Sequence, residues 1–239
     1  LQIDAYPRLT GFAAWRPQRT WKEWWNGDRH YAEEGSAGAY GGYYTKDDIR
    51  ELLAYAAERH IEIIPEIEMP SHSEEVLAAY PELGCSGEPY KDSDFCVGSE
   101  EVFTFLQTVL DEVMELFPSE YIHIGGDEVN FNWWRQCPDC QKLCKEKGIT
   151  VGPQLEEYML MRVSDILARY NRKPMVWNEA IRGGKMPKST TVCGWFGWRG
   201  CLDAMNGGYP TVVMPARIFY LDKRQSTNER GHRSYSGGL

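Results

Sequence analysis

Residues 121–128 read YIHIGGDE, a short apolar run followed by two glycines and two adjacent carboxylates, and this stretch decides the fold prediction. The apolar run predicts a buried strand. Glycines at its end permit a bend and the close approach of another group. Because neighbouring side chains of a regular strand point to opposite faces, Asp127 and Glu128 can share one cavity only where the strand passes into a loop.

The two adjacent carboxylates admit two interpretations. Two such groups resist ionising together, so that one of them can keep its proton near neutral pH. The pair then offers a general acid beside a fixed negative charge, which suits the cleavage of a glycosidic bond. Alternatively, the acidic pair caps a following helix or binds a Lys or Arg. This stretch taken alone leaves both interpretations open.

The composition is that of one sizeable acidic domain. The chain has 239 residues, 42% of them hydrophobic, and a net charge of −9. This length and hydrophobic content suffice for a single domain with a substantial core. Without a basic cluster we expect no nucleic-acid partner, and no apolar stretch approaches the roughly 20 residues of a membrane-spanning helix. No signal peptide is recognisable, and because the chain opens with Leu1 rather than Met we expect a processed or truncated product.

Cysteines offer two further hypotheses. The number of cysteines is seven, so they cannot all pair within the chain. Cys85 and Cys96 bracket a polar loop and could form a disulfide in an oxidising compartment. Cys137, Cys140 and Cys144 lie in the sequence CPDCQKLC, which admits a zinc site or simply a helix start that carries thiols. A structural zinc normally has four ligands and no His stands nearby, so we predict no metal and no other cofactor.

Strand-like and helix-like segments alternate along the chain. Helices are predicted over residues 45–60, 99–117 and 154–170, and strands over 61–65, 121–126, 175–177, 191–193 and 211–214. This alternation indicates a parallel sheet with both faces covered. Five strands fit an open doubly wound sheet or part of a closed barrel. No glycine-rich dinucleotide fingerprint follows a strand, which disfavours the nucleotide-binding open sheet, and a barrel predicts chemistry at the C-terminal strand ends.

Polar and aromatic residues do follow each predicted strand. In chain order they are Glu66, Glu68 and His72; Asp127 and Glu128; Trp177 and Glu179; Trp195 and Trp198; and Tyr220 and Asp222. Singly, each has a structural explanation, such as an indole in the core or a carboxylate held by a buried Arg. Together they favour a carbohydrate site, because sugars present hydroxyls to carboxylates and C–H faces to aromatic rings.

The motifs PEIEMPSH, HIGGDEVN, VWNEA, CGW and YLD, in this order and at this spacing, resemble glycoside hydrolase family 20, the β-N-acetylhexosaminidases. The resemblance extends from LQIDAYPRLT to the region FYLDKRQ. It implies an α/β fold, the (β/α)8 TIM barrel, of which residues 1–239 form a partial catalytic domain with about strands 3–7. We expect this chain alone to be part of a longer protein, or poorly stable and weakly active, because an open barrel exposes two edges.

The resemblance also implies a catalytic set. The family retains the anomeric configuration by substrate-assisted, oxazolinium chemistry, in which the 2-acetamido group of the sugar is the nucleophile. Glu128 would be the general acid and then the base. Asp127 would orient the acetamido group, and Tyr220 would donate a hydrogen bond to its carbonyl oxygen.

Further residues are implied to bind the substrate. Trp177 and Trp195 would enclose the acetyl methyl group, and Asp222 would bind a hydroxyl of the terminal sugar. His72 would support the catalytic carboxylates, and Glu179 of the VWNEA motif belongs to the same substrate-binding set.

The expected substrates are N-acetylhexosamine-containing glycans or chito-oligosaccharides with terminal GlcNAc or GalNAc. Alternatives are a lacto-N-biosidase with a wider pocket and a catalytically impaired sugar-binding module. A metal-dependent hydrolase using His123 and Asp127 is disfavoured, because no second His lies nearby. By its substrates the protein is expected to be periplasmic or secreted, or lysosomal in a eukaryote.

Overall fold

The computed structural model describes residues 1–221, in which helices and strands alternate. The helices are Arg8–Gly11 (α1), Trp21–Trp25 (α2), Lys46–Ala57 (α3), Glu74–Ala79 (α4), Glu100–Leu116 (α5), Asn132–Gln136 (α6), Pro138–Lys147 (α7), Pro153–Arg169 (α8), Gly197–Asn206 (α9) and Ala216–Phe219 (α10). The strands are Trp15–Pro17 (β1), Ala39–Gly41 (β2), Tyr121–His123 (β3), Lys173–Trp177 (β4), Thr191–Gly194 (β5) and Thr211–Val213 (β6). Short 3-10 helices cover Pro81–Leu83 and Asn178–Gly183.

A four-stranded parallel sheet in the order β3-β4-β5-β6 forms the centre of the fold. Ile122, Val176 and Val192, one from each of the first three strands, are fully buried. Parallel strands are covered on both faces by their crossover helices, so they consist of nearly continuous apolar residues. The predicted α/β fold with a parallel sheet is therefore confirmed, and each of these strands lies within or next to its predicted range.

The first predicted strand, over residues 61–65, is wrong. In its place the chain makes an isolated parallel bridge, Glu66 to His123, beside β3. Two backbone hydrogen bonds hold it: the N–H of Ile67 donates to His123 O and the N–H of His123 donates to Pro65 O, each at 2.9 Å. Pro65 has no N–H to extend this pairing. Ile61 is 59% exposed, and its N–H donates to Ala56 O of the preceding helix instead of to a neighbouring strand.

Helix boundaries agree with the sequence prediction to within a few residues. α3 begins after Thr45, whose hydroxyl accepts from the N–H of Asp48 at 3.1 Å while the Asp48 carboxylate accepts from the N–H of Thr45 at 2.8 Å. This reciprocal cap satisfies two backbone donors that a helix start otherwise leaves free. α5 and α8 pack against each other through apolar faces, and their buried side chains include Val102, Leu106, Leu110, Leu155, Met159 and Leu160.

Two features lie outside the predicted elements. β1 and β2 form a separate antiparallel pair before α3, a hairpin-like unit that the sequence analysis did not predict. Across residues 1–221 no helix combines the length and apolarity that crossing a membrane requires.

Candidate active site

The chain leaves β3 through a bend made by two glycines. Gly125 and Gly126 have φ of +69° and +89°, a region that glycine enters without steric cost. A side chain at position 125 would also collide with the carboxylate of Glu68. Asp127 and Glu128 therefore lie in a loop directly after the strand, where the sequence predicted that both could serve one cavity.

One imidazole faces both carboxylates. The Nε2 atom of His72 lies 3.6 Å from Asp127 Oδ2 and 3.3 Å from Glu128 Oε2. The Asp127 side chain is 16% exposed, whereas that of Glu128 is 57% exposed. The two neighbouring acids thus have different surroundings, one largely enclosed and the other open to solvent.

The charge of His72 follows from this contact. Interaction with Asp127 raises the pKa of His72 to about 9, Glu128 acts in the same direction, and burial opposes both. His72 is therefore an imidazolium at neutral pH. It places one positive charge at the end of the segment PEIEMPSH, where that segment faces the loop that carries the carboxylates.

Glu68 connects the segment PEIEMPSH with the loop that carries Asp127 and Glu128. Its Oε1 atom accepts hydrogen bonds from the N–H of Gly126 at 3.0 Å and from the N–H of Met69 at 3.1 Å. Burial, and then the charge of Asp127, raise the pKa of Glu68 to about 9. Glu68 thus holds a proton at neutral pH, so it supports the loop without adding a charge beside Asp127.

The two tryptophans of the predicted substrate-binding set are each held through the indole N–H. Trp177 Nε1 donates to Glu66 Oε1 at 2.9 Å, and the Trp177 ring lies 4.7 Å from the ring of His123. Trp195 Nε1 donates to Glu179 Oε2 at 2.9 Å. Buried tryptophans usually find such an acceptor, and here a carboxylate sets the orientation of each ring.

Glu179 also connects the tryptophan to the carboxylate loop. The side chain is buried, and burial raises its pKa, while hydrogen bonds from Trp195 and from the backbone of Glu128 act against that rise. The rings of Trp195 and Tyr220 stack at 6.3 Å between centroids with 16° between their planes. The predicted residues Glu128, Glu179, Trp195 and Tyr220 therefore form one connected group.

Asp222 and His123 are two further residues that the sequence analysis considered. Asp222 lies outside the described residues. His123, which the disfavoured metal-dependent hydrolase would use together with Asp127, has its Nδ1 atom 3.4 Å from Glu66 Oε1, and the same atom accepts a hydrogen bond from Gly125 N–H at 3.1 Å. Burial lowers the pKa of His123, so that this ring is neutral and packed against Trp177.

Glu156 on α8 is a buried acid that the sequence analysis missed. Burial raises its pKa to about 9, and its Oε1 atom has no hydrogen-bond partner in the described part of the chain. Arg182, Glu179 and Asp127 all influence it electrostatically. A signal existed in the sequence, because Glu156 stands four residues before the apolar Leu160 and so shares its helix face.

A concavity of about 680 Å³ lies beside this group rather than over the carboxylates. It is bordered by the Asn178–Gly183 segment and α9, and its lining includes Asn178, Arg182, Phe196, Trp198 and Tyr209. Asn178 joins it to the site, because its Oδ1 atom accepts from the N–H groups of Trp195 and Phe196 at 3.0 and 3.1 Å.

Carboxylates, an imidazole and indoles gathered at the carboxyl ends of parallel strands define the class of barrel proteins whose sites lie at that face. The chain belongs to Glycosyl hydrolase family 20: the sequence model of that family's catalytic domain matches residues 1–238. The family's catalytic domain is a TIM barrel, and the parallel α/β sheet described here agrees with it.

Individual relatives agree with this membership. The beta-hexosaminidase of Porphyromonas gingivalis is 35% identical over 234 residues, which cover 94% of this chain and 28% of that protein. A β-N-acetylhexosaminidase structure from Bacteroides fragilis has a TM-score of 0.78 at 30% identity and covers 97% of this chain and 44% of its own. A GH20 exo β-N-acetylglucosaminidase from Vibrio harveyi in complex with N-acetylglucosamine has a TM-score of 0.81 at 31% identity, with coverages of 94% and 35%. The chain thus spans less than half the length of each.

Proposed function

We propose that the protein is a retaining exo-β-N-acetylhexosaminidase. Its substrates would be glycans or chito-oligosaccharides with a terminal β-linked GlcNAc or GalNAc. The observation that carries the proposal is the loop after β3, in which an enclosed Asp127 and an exposed Glu128 both face His72 within 3.6 Å. The named activities of the family relatives support the same assignment.

Asp127 is proposed to hold the acetamido group of the substrate. The Asp127 side chain is 16% exposed, and protein donors do not saturate it, since its Oδ1 has no hydrogen-bond partner within residues 1–221. The carboxylate can therefore take a further donor, which is proposed to be the acetamido N–H. Holding an internal nucleophile next to C1 gives it a large effective concentration, so positioning alone removes much of the barrier. A carboxylate at this nitrogen also stabilises the positive charge that develops there.

Glu128 is proposed as the general acid and base. Its exposed carboxyl group can reach both a departing glycosidic oxygen and an incoming water molecule. Its φ of +52° is unusual for a residue with a side chain, and such conformations cluster at functional sites. The Glu128 backbone is held in turn by Glu179.

Glu128 and the acetamido group account for every proton and bond that the reaction transfers. The acetamido oxygen attacks C1, the bond from C1 to the leaving oxygen breaks, and Glu128 gives that oxygen its proton. Glu128 then takes a proton from water, the water oxygen attacks C1, and the bond from C1 to the acetamido oxygen breaks. The acetamido group is thereby restored, and C1 keeps its original configuration.

The remaining predicted residues would form the walls of the sugar site. Trp177 and Trp195 would enclose the acetyl methyl group, each with its indole N–H held by a carboxylate. Tyr220, stacked on Trp195, would donate to the acetamido oxygen, and Asp222 would bind a sugar hydroxyl. An apolar enclosure of this kind also keeps competing water from C1.

We further propose that the described parallel sheet is a section of the family's barrel and that residues 1–239 form a part of one catalytic domain. The family match over residues 1–238 and the 44% coverage of the Bacteroides fragilis chain support this proposal. Glycans of this type lead us to propose an extracytoplasmic location, either periplasmic, secreted or lysosomal.

Hydrolysis of 4-nitrophenyl N-acetyl-β-glucosaminide by the full-length protein tests the proposal. The matched glucoside, which lacks the acetamido group, and the Glu128→Gln variant are the controls. Turnover of the first substrate alone, with a lower kcat in the variant, would support substrate-assisted chemistry at this site. A folded protein without turnover would contradict it and favour a sugar-binding module, while release of a disaccharide alone would indicate a lacto-N-biosidase.

A further inference from the structure

Four cysteines from two separate segments meet at one point of the fold. The Sγ atoms of Cys85, Cys96, Cys137 and Cys140 all lie within 4.8 Å of one another. The distance from Cys96 Sγ is 3.6 Å to Cys137 and 3.8 Å to Cys140, and the distance from Cys85 Sγ to Cys140 is 3.9 Å. All of these cysteines are free, so the disulfide that the sequence allowed between Cys85 and Cys96 is not formed.

A short antiparallel contact brings the first two thiols together. Gly84 and Phe95 form an isolated bridge, and the N–H of Cys96 donates to the carbonyl of Leu83 at 2.8 Å. In this antiparallel pairing Cys85 and Cys96 lie on opposite sides of the bridge but on the same face, as diagonal neighbours, so their thiols can converge.

The start of α7 supplies the other two thiols. Cys137 is the N-cap of α7 and Cys140 lies in its first turn, the two-residue spacing common to pairs of zinc ligands. Gly98 lies against the backbone of Asp139 and Cys140, where any side chain would collide. That close approach holds the first thiol pair against the helix.

We propose that Cys85, Cys96, Cys137 and Cys140 bind one structural zinc ion as a tetrathiolate. A Zn–S bond of about 2.3 Å in a tetrahedron requires sulfur atoms about 3.8 Å apart. The observed separations of 3.6, 3.8 and 3.9 Å match that edge length. A disulfide needs sulfur atoms at about 2.0 Å, so pairing any two of these cysteines would require them to move together.

The surroundings of the cluster suit thiolates. Cys96, Cys137 and Cys140 are buried, which keeps water from competing for the metal. The positive end of the α7 dipole lies at Cys137 and stabilises negative sulfur. Metal binding would release the thiol protons to solvent.

Cys144 provides an internal comparison. It is buried on α7, one turn beyond Cys140, but it is not among the four clustered thiols. The sequence analysis predicted no metal because CPDCQKLC offers only three thiols; the proposed site takes two of them, and the polar loop supplies the other two ligands.

The cluster also anchors the loop that borders the candidate active site. The N–H of Phe95 donates to Pro70 O at 2.9 Å, just before His72, and Asp94 Oδ1 accepts from the N–H of Asn130 at 3.3 Å, just after Glu128. A metal bound next to Phe95 would stabilise both catalytic segments. This consequence rests on the proposed function, whereas the metal site itself does not.

Zinc content of the full-length protein tests the site independently of turnover. Protein produced with zinc in the medium and purified without chelators should contain about one zinc ion per chain by plasma mass spectrometry. Cys137→Ser and Cys140→Ser should lose that zinc, and Cys144→Ser should retain it. Replacement of zinc by Co²⁺ should give the intense visible absorption of a tetrahedral thiolate complex.

Other outcomes would overturn the proposal even if the serine variants do not fold. Wild-type protein that contains no zinc while these four cysteines can all be alkylated would exclude the site. Zinc-free protein with an intact mass lower by four hydrogens, and with disulfide-linked peptides that contain these cysteines, would show that they form two disulfides instead. Turnover of the acetamido substrate in either case would leave the proposed function intact, so the two proposals fail separately.

Discussion

The imidazole Nε2 of His72 lies 3.3 Å from the carboxylate Oε2 of Glu128 and joins two loops that are far apart in the chain. Both residues have positive φ, +51° for His72 and +52° for Glu128. Two non-glycine residues in this conformation, facing each other across one contact, indicate that the surrounding structure imposes the geometry. Substitutions at this contact therefore test how the charge of His72 and the position of Glu128 depend on each other.

His72→Asn should make folding stability less dependent on pH in the alkaline range. The pKa of His72 is raised from 6.5 to about 9 in the folded protein, so its stabilising charge is fully present below about pH 6.5 and is lost as the pH passes about 9. The wild-type thermal midpoint should fall between these limits more steeply than that of the variant. Asparagine tolerates positive φ, so the backbone strain is matched.

His60→Asn is the control for this experiment. His60 also has positive φ, at +56°, but it is exposed and lies outside the site. Parallel stability curves for the wild type and His72→Asn between about pH 6.5 and about pH 9 would contradict the assigned charge of His72.

Glu68→Gln should make folding stability less dependent on pH in the acidic range. The pKa of Glu68 is raised from 4.5 to about 9 on folding, so the folded protein binds an extra proton and loses stability as the pH rises from about 4.5 to about 9. The glutamine keeps an acceptor for the N–H of Gly126 and has no charge to titrate. Chemical denaturation from about pH 4.5 to about pH 6 isolates this effect from that of His72.

Glu68→Ala should behave differently, because it removes the acceptor. The N–H groups of Gly126 and Met69 would lose their partner, at a cost of about 1–3 kcal/mol for a buried donor left unpaired. Equal destabilisation by Ala and Gln at neutral pH would show that these hydrogen bonds are unimportant.

Glu128→Gln should lower kcat by about 10²–10⁴-fold on unactivated glycans, the usual contribution of a general acid or base. The loss should be smaller for 4-nitrophenyl N-acetyl-β-glucosaminide, because that leaving group departs without a proton. Steady-state rates on both substrates measure the difference. Glu101→Gln, at an exposed position of α5, should leave both rates unchanged.

Trp195→Phe should lower kcat/KM for acetamido substrates by roughly ten- to a hundredfold, the equivalent of losing a hydrogen bond to a charged group. The phenyl ring preserves an apolar wall but cannot donate to Glu179, whose carboxylate would remain buried without the indole. Trp25→Phe is the matched control, since Trp25 is 41% exposed and lies on α2, where it stacks on Trp21. Equal losses in the two variants would remove the support for Trp195 as a wall of the site.

Local patterns in the sequence predicted the helices and strands whose formation depends on neighbouring residues. The apolar runs around Ile122, Val176 and Val192 became buried parallel strands, and the cap at Thr45 began a helix. The strand predicted before Pro65 is not formed. A strand needs a neighbour with free backbone donors and acceptors, and apolar residues alone do not supply one. The family motifs by themselves indicate Asp127 and Glu128 as the proposed catalytic pair.

Contacts between distant segments were decided by the tertiary structure alone. Neither the hydrogen bond of Glu68 to Gly126 nor that of Trp195 to Glu179 has a periodic signature in the sequence. The thiols of Cys85 and Cys96 likewise meet those of Cys137 and Cys140 only because a loop packs on the start of α7. Periodicity and capping report the preferences of neighbouring residues, whereas ligand sets and buried acids depend on which distant surfaces the core brings together.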